Sequence, residues 1–337
     1  MLNKWKTFLV IVACATCSES GMAQITPATI LEIDTENIVS YTSDVFDASK
    51  FATDPNLTTV ASVPRNFAFV MAVGDIVAVN GRPAKGTLVV RQQSISLSPT
   101  PSPGQGVADI VRTAVSDYLL EIQQADGTLV GNIHTLGMSA GTTAVGAPAG
   151  SGGNLVVAGG TGAFLGARGQ MSTRLLPGGP GPRTASVTED PARRRNNGVG
   201  GRVQFVVYLI PMTRPEITTT PNGPSIAHSN DFSLVTATRP AKSGEILSLF
   251  ARGLGPTRPA VDLGRPFPAD PPAVVNSPVE VTVNGKPAEI IGAVGYPGSV
   301  DGYQVNFRVP SDASPGMATI QLGAAWIAGP EVRISLQ

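Results

Sequence analysis

Few residues of this 337-residue chain have the type and spacing for chemistry, and most of them lie between positions 118 and 170. In Gly159–Met171, GGTGAFLGARGQM, period-two alternation puts Arg168 on one strand face with Phe164 and Gln170. A guanidinium inside a barrel can hold a phenolate, a carboxylate or a developing oxyanion. Arg168 is therefore the leading catalytic candidate, with Phe164 and Gln170 as ligand-binding neighbours. The competing reading is a structural arginine tied to a carboxylate at a barrel rim. A second candidate comes from Ser116–Leu136, SDYLLEIQQADGTLVGNIHTL, where Asp126-Gly127 is a strong signal for a two-residue hairpin. With that turn, Leu120 faces Ile133, Tyr118 faces Thr135 and Ile122 faces Gly131, while Glu121 pairs with Asn132 and Leu119 with His134. The mixed face then brings Glu121 near His134, a pair suited to acid–base work at neutral pH. An exposed polar face or a subunit contact is the alternative. Tyr118, on the apolar face, joins the ligand-binding candidates.

Other chemistries lack their residues. Both cysteines, Cys14 and Cys17, fall in the N-terminal export-like segment, and two histidines without cysteine make a transition-metal site improbable. VVAGGTGAFLG has the look of a nucleotide-binding turn. However, Gly159, Gly162 and Gly166 have both spacings one residue too long, and Pro177-Gly178-Gly179-Pro180 arrives before a crossover helix could form. No cofactor is expected. There is no credible Ser–His–Asp set and no acidic calcium loop. His228 has no obvious partner. Glu189-Asp190-Pro191 with Arg193-Arg194-Arg195 reads as a lid over a barrel mouth, an anion contact, or a solvated mobile loop.

The elements that must position these residues follow from composition. Charged residues are 14% of the chain, against about 25% in an average globular protein, and there are 38 Gly and 29 Pro. Short strands joined by turns are expected rather than long helices. Lys4 and Lys6, the apolar run Thr7–Ala15 and Gly21-Met22-Ala23 read as a signal peptide over residues 1–23, cleaved before Gln24. A lipoprotein acylated at Cys14 is the variant reading. Residues 24–337 then carry 22 basic and 23 acidic side chains and no cysteine. That near-neutral balance argues against nucleic acid, and no run reaches the ~20 residues of a transmembrane helix. About eight strands over 28–212, with no convincing helix, must close or pair to protect their edges, which predicts a barrel domain over 24–212. Thr213–Pro224 reads as a Pro/Thr linker. Residues 225–337, with strands near Glu245–Ala251, Val279–Val283, Glu289–Val294, Tyr303–Val309 and Ala318–Leu322, read as a small β-sandwich.

Asn154–Met171, NLVVAGGTGAFLGARGQM, resembles the signature segment of dirigent proteins and the related allene oxide cyclase barrel. That resemblance implies an eight-stranded antiparallel barrel, often trimeric, around a pocket for a small hydrophobic ligand. It also implies cofactor-free cyclisation or guided coupling, with Arg168 aimed at the pocket. This GGTG turn carries no acidic residue, so the family's general acid has no counterpart there. Phe250–Thr257, Asn276–Val279, Val283–Glu289 and Tyr303–Pro310 resemble the Ig-like C-terminal domain of secreted proteins from Acidobacteria-type bacteria, which implies fold and compartment only.

The expectation is an exported, secreted, periplasmic or cell-surface all-β protein. In it a dirigent-like barrel holds a small hydrophobic ligand, as a binder or a cofactor-free isomerase, and an Ig-like domain acts as spacer or attachment module. The alternative is a non-catalytic surface or matrix protein whose barrel is an assembly unit. A lumen filled by the protein's own side chains favours the second.

Overall fold

The computed structural model describes residues 28–42, 66–96, 112–139, 152–176, 179–186, 189–196, 200–262 and 264–337. Residues 1–23, expected as a signal peptide, and Cys14, the acylation site of the variant reading, lie outside them. The fold is all-β, and among the described residues no helix is long and apolar enough to cross a membrane.

The N-terminal strands are β1 (Thr29–Thr42), β2 (Asn66–Val79), β3 (Arg82–Ser96), β4 (Arg112–Gln124), β5 (Leu129–Ser139), β6 (Gly152–Gly162), β7 (Arg168–Leu175), β8 (Arg183–Ser186) and β9 (Gly201–Ile210). Each of β1 to β6 pairs antiparallel with the next, β7 pairs with β9, and β9 returns to β1, so eight strands close a barrel. Closure leaves none of the eight with a free edge along its paired length. The short strand β8 lies parallel to β1 over Val39–Thr42, beyond the point where β9 runs out at Gly201 opposite Ile38.

The Asp126-Gly127 hairpin forms with the expected register. Tyr118 stands opposite Thr135, Leu119 opposite His134, Leu120 opposite Ile133, Glu121 opposite Asn132 and Ile122 opposite Gly131. Inward side chains pack the lumen: Leu31, Ile33, Leu88, Leu120, Ile122, Ile133, Leu155, Met171 and Leu209 are fully buried, and Tyr118 meets Phe205 edge-on at 5.8 Å.

The two barrel ends differ. One carries the tight turns at Asn80-Gly81, Asp126-Gly127 and Ala163–Gly166. The strand ends at the other are joined through residues 43–65, 97–111, 140–151 and 176–200. The second module docks on the tight-turn end. It has a seven-stranded sheet, with Ile246–Arg252, Tyr303–Arg308 and Glu289–Gly295 at its centre, and a four-stranded sheet containing Val279–Val283, Gly316–Ala324 and Ile327–Leu336. Residues of both sheets join one core that includes Leu247, Leu249, Val281, Phe307, Ile320 and Ile334.

Half of Thr213–Pro224, expected as a linker, is paired in short strands. Glu216–Ile217 adds to Ile246–Arg252, and Thr219–Thr220 folds back on Gly223–Pro224. Its Pro and Thr residues shape short strands of the second module instead of an extended tether.

Candidate functional site

The GGTGAFLGARG segment is two strands and a turn, and close backbone approach explains its glycines. A Cβ at Gly160 would lie 2.5 Å from Phe164 O and 2.6 Å from Asn132 O. Gly162 (φ 62°) sits in the left-handed region where a side chain is disfavoured. The chain then turns, with the Phe164, Leu165 and Ala167 amides donating to Thr161 O, Gly162 O and Phe164 O.

That turn breaks the alternation assumed from sequence. Phe164 swings into the barrel core, whereas Arg168 and Gln170, two residues apart on β7, face outward. The shared face with Phe164 is therefore corrected: period two holds only within a continuous strand, and Ala163–Gly166 is not one. The Arg168 guanidinium folds back on the turn, donating from Nη1 to Ala158 O at 2.8 Å and to Ala167 O at 3.0 Å. It does not enter the lumen, and it meets no rim carboxylate among the described residues. Glu121 and His134 do share the mixed outer face, but His134 is exposed and Glu121 accepts a 2.8 Å hydrogen bond from Gln123 Nε2. Tyr118 lies inside. The six candidates are thus split across the barrel wall, with Tyr118 and Phe164 within and Arg168, Gln170, Glu121 and His134 without.

The Arg-rich cluster is an anchor. Pro191–Arg195 forms a 3₁₀ turn capped by Asp190, whose carboxylate accepts from the Ala192 amide. Buried Arg194 donates to Asp75 Oδ1 at 2.6 Å, Arg195 grips both carboxylate oxygens, and Asn37 donates to Oδ2 at 3.0 Å. Burial alone would raise the Asp75 carboxyl, but the hydrogen bonds from Arg195 and Asn37 and the charges of Arg194 and Arg195 outweigh it and hold the group below its ordinary range. The anion these arginines contact is the protein's own. It ties the segment to β2, so the reading of a solvated loop is corrected over Asp190–Arg195.

Two features were not legible from sequence. His228 is buried in the second module with Nδ1 2.6 Å from Glu245 Oε1, and Glu245 Oε2 accepts from the Lys242 amide. No spacing rule links residues 17 apart across a loop. At the junction of the modules, a cleft of about 710 Å³ is lined by Leu165, Met212, Arg252, Arg265, Asp301 and Tyr303 among others. Burial, with Asp301 nearby, pushes the Tyr303 phenol up to about 12, so it stays a donor and bonds Gly255 O at 2.7 Å. Arg252 and Arg265 make no ion pair with a described residue, and they share the walls with Glu216, Asp262 and Asp301. This is a mixed-charge hollow without a convergent catalytic set.

The outer wall carries the more coherent surface. Ile30 pairs with Tyr208, Tyr208 with Gln170, Gln170 with Val156, and Val156 with Leu136, giving one row across β1, β9, β7, β6 and β5. Met138 and its β4 partner Val115 flank it on one side and Ile210 on another. These seven large apolar side chains are 42–54% exposed.

No protein-family model matches the chain, and no curated protein does. Among solved structures, the N-terminal domain of an adhesin from Streptococcus gordonii aligns over 92% of each chain at 10% identity, with a TM-score of 0.18 that carries no argument about fold or function.

Proposed function

We propose that this is an exported, non-catalytic assembly protein, in which a dirigent-like barrel works through its outer wall and an Ig-like second domain supports it. The observation that supports the reading is the lining of the lumen, where buried aliphatic side chains such as Leu31, Leu120, Ile133 and Leu155 gather into one apolar core. The candidate catalytic groups on the opposite side of the wall agree with it. The outer row from Ile30 to Val115 exposes on the order of 500 Å² of apolar surface, at the upper end of what monomers leave uncovered. Two copies joined there would approach the ~800 Å² per partner of a standard interface. The occupant we assign is a second copy of this chain, and the family resemblance points to a trimer. The basic start, apolar run and Gly-Met-Ala of residues 4–23 support export to the periplasm, surface or medium.

Sedimentation velocity on residues 24–337 tests the assembly. The wild type is expected to sediment as an oligomer, and the Leu136→Lys/Val156→Lys double variant as a monomer with an unchanged β-type circular dichroism spectrum. A wild type that stays monomeric at high micromolar concentration refutes self-association.

One observation favours a second reading, the binding of a small hydrophobe. Thr135 Oγ1 is buried without a hydrogen-bond partner among the described residues, opposite Tyr118 in the lumen. A ligand hydroxyl would satisfy it. Native mass spectrometry of the purified protein decides: a co-purified small molecule supports this reading, and a bare chain mass removes it.

A further inference from the structure

Among the described residues, three two-residue hairpins have both central residues at positive φ. Two use the residues such turns favour: Asn80-Gly81 (φ 50° and 72°) and Asn284-Gly285 (φ 50° and 77°). The third, between the strands Gly316–Ala324 and Ile327–Leu336 of the second module, is Ala325-Trp326, at φ 50° and 61°. Neither alanine nor tryptophan is at ease in the left-handed region, where Cβ crowds the backbone. A strained turn persists where its surroundings over-determine it.

The surroundings here are the barrel. Ala325 and Ile327 are 1% and 2% exposed, and they belong to the barrel's apolar core rather than to that of their own module. Trp326 packs against the same core, together with Ala163 from the β6–β7 turn. Polar contacts ring the insertion. Gln124 donates to Asn276 O, Arg82 pairs with Glu280, and Arg258 donates to Thr128 Oγ1 at 3.2 Å. The Ala325 amide is itself held by Pro278 O at 3.0 Å. The contacts from the barrel side come from all three of its tight turns or the residues flanking them.

We infer that the Ala325–Ile327 tip is the floor of the barrel: the tight-turn end is a socket, its occupant is the second module's hairpin, and the two modules unfold as one unit. Ala325 and Trp326 are retained in a turn that would form more easily as Asn-Gly because their side chains complete the lumen's apolar column. The second module is on this reading neither spacer nor tether, and access to the barrel interior is confined to the opposite end.

The test uses the chain from residue 24 onward, in which Trp326 is the sole tryptophan and so reports the junction alone. In urea, Trp326 emission and far-UV circular dichroism are expected to change at the same midpoint. Exposure of Trp326 well before loss of dichroism would show a loosely docked module and overturn the inference. A second measurement does not depend on a variant at the junction. Phe307→Ala removes a fully buried side chain from the second module's own core, remote from the barrel core set. Hydrogen exchange in barrel peptides from β4 and β5 is expected to accelerate roughly 100-fold or more, in step with the second module, because the coupled unit shares one opening equilibrium. Barrel peptides that keep wild-type protection while those of the second module lose it refute the coupling. If Phe307→Ala does not fold, the two-probe melt of the wild type still decides.

Discussion

Strand β9 shows the difference between the two faces of the barrel wall. Val203, Phe205, Val207 and Leu209 point inward and are buried, while Tyr208 and Ile210 point outward and are 46% and 42% exposed, yet all six are apolar. The inner face is a closed core. In the sector from β5 through β9 to β1 the outer face carries a row of exposed apolar side chains beside charged ones, the Arg174–Glu32 pair among them. Across β3 and β4 its row instead continues as the Arg91–Asp117 ion pair. Apolar side chains thus stand on both sides of one stretch of wall, buried within and half exposed without, and the proposed assembly rests on the outer ones.

The largest effect separates the faces directly. Leu120→Ala, in the lumen, is expected to cost about 2–5 kcal/mol in urea unfolding, through lost burial and the cavity left behind. Leu136→Ala, on the outer row, should stay within about 0.5 kcal/mol in dilute protein. Equal, small effects would mean that the lumen is loosely filled, and the comparison would fail.

What the sequence showed and hid follows the same division. The register of β4 and β5 was legible to the residue because Asp126-Gly127 fixes the turn and the apolar residues alternate. The face of Arg168 was not, because nothing in GGTGAFLGARG marks Ala163–Gly166 as the point where alternation stops. The continuous run VQFVVYLI identified β9 as a strand but could not say which side meets the core. The Ala325-Trp326 turn was invisible because it lacks turn residues altogether; its conformation is imposed by the barrel it enters. The partners of Asp75 and His228 come from segments far apart in the chain, and only the closed fold brings them together.

The polar part of the outer wall makes an intermediate prediction. Asp75→Asn leaves Arg194 buried without its counter-charge and should cost about 2–3 kcal/mol; Arg195, mostly solvated, adds little. Because the folded-state carboxyl titrates below its unfolded value, its contribution is fully present above about pH 4 and is lost as pH falls through the lower folded value. Wild-type stability should therefore drop more steeply than that of Asp75→Asn below pH 4 in acid titrations followed by circular dichroism. Parallel curves would mean that Asp75 does not hold the Pro191–Arg195 turn.

Arg168→Ala should have the smallest effect and bears most closely on which face works. Its bonds go to the backbone carbonyls of Ala158, on β6, and of Ala167, just before β7, and the exposed guanidinium lies where water can replace a lost donor. The expected cost is under about 1 kcal/mol in thermal or urea melts, since a neutral acceptor regains most of its solvation. Affinity for small phenolic or anionic hydrophobes should not change, because the guanidinium lies outside the packed lumen. If titration calorimetry instead showed a 10-fold or greater loss of affinity at unchanged stability, roughly the worth of one charge-assisted bond, Arg168 would have to reach a ligand in another arrangement of the 162–168 turn. The division between a closed inner face and a working outer face would then give way at its most accessible point, beside the glycines that let the turn form.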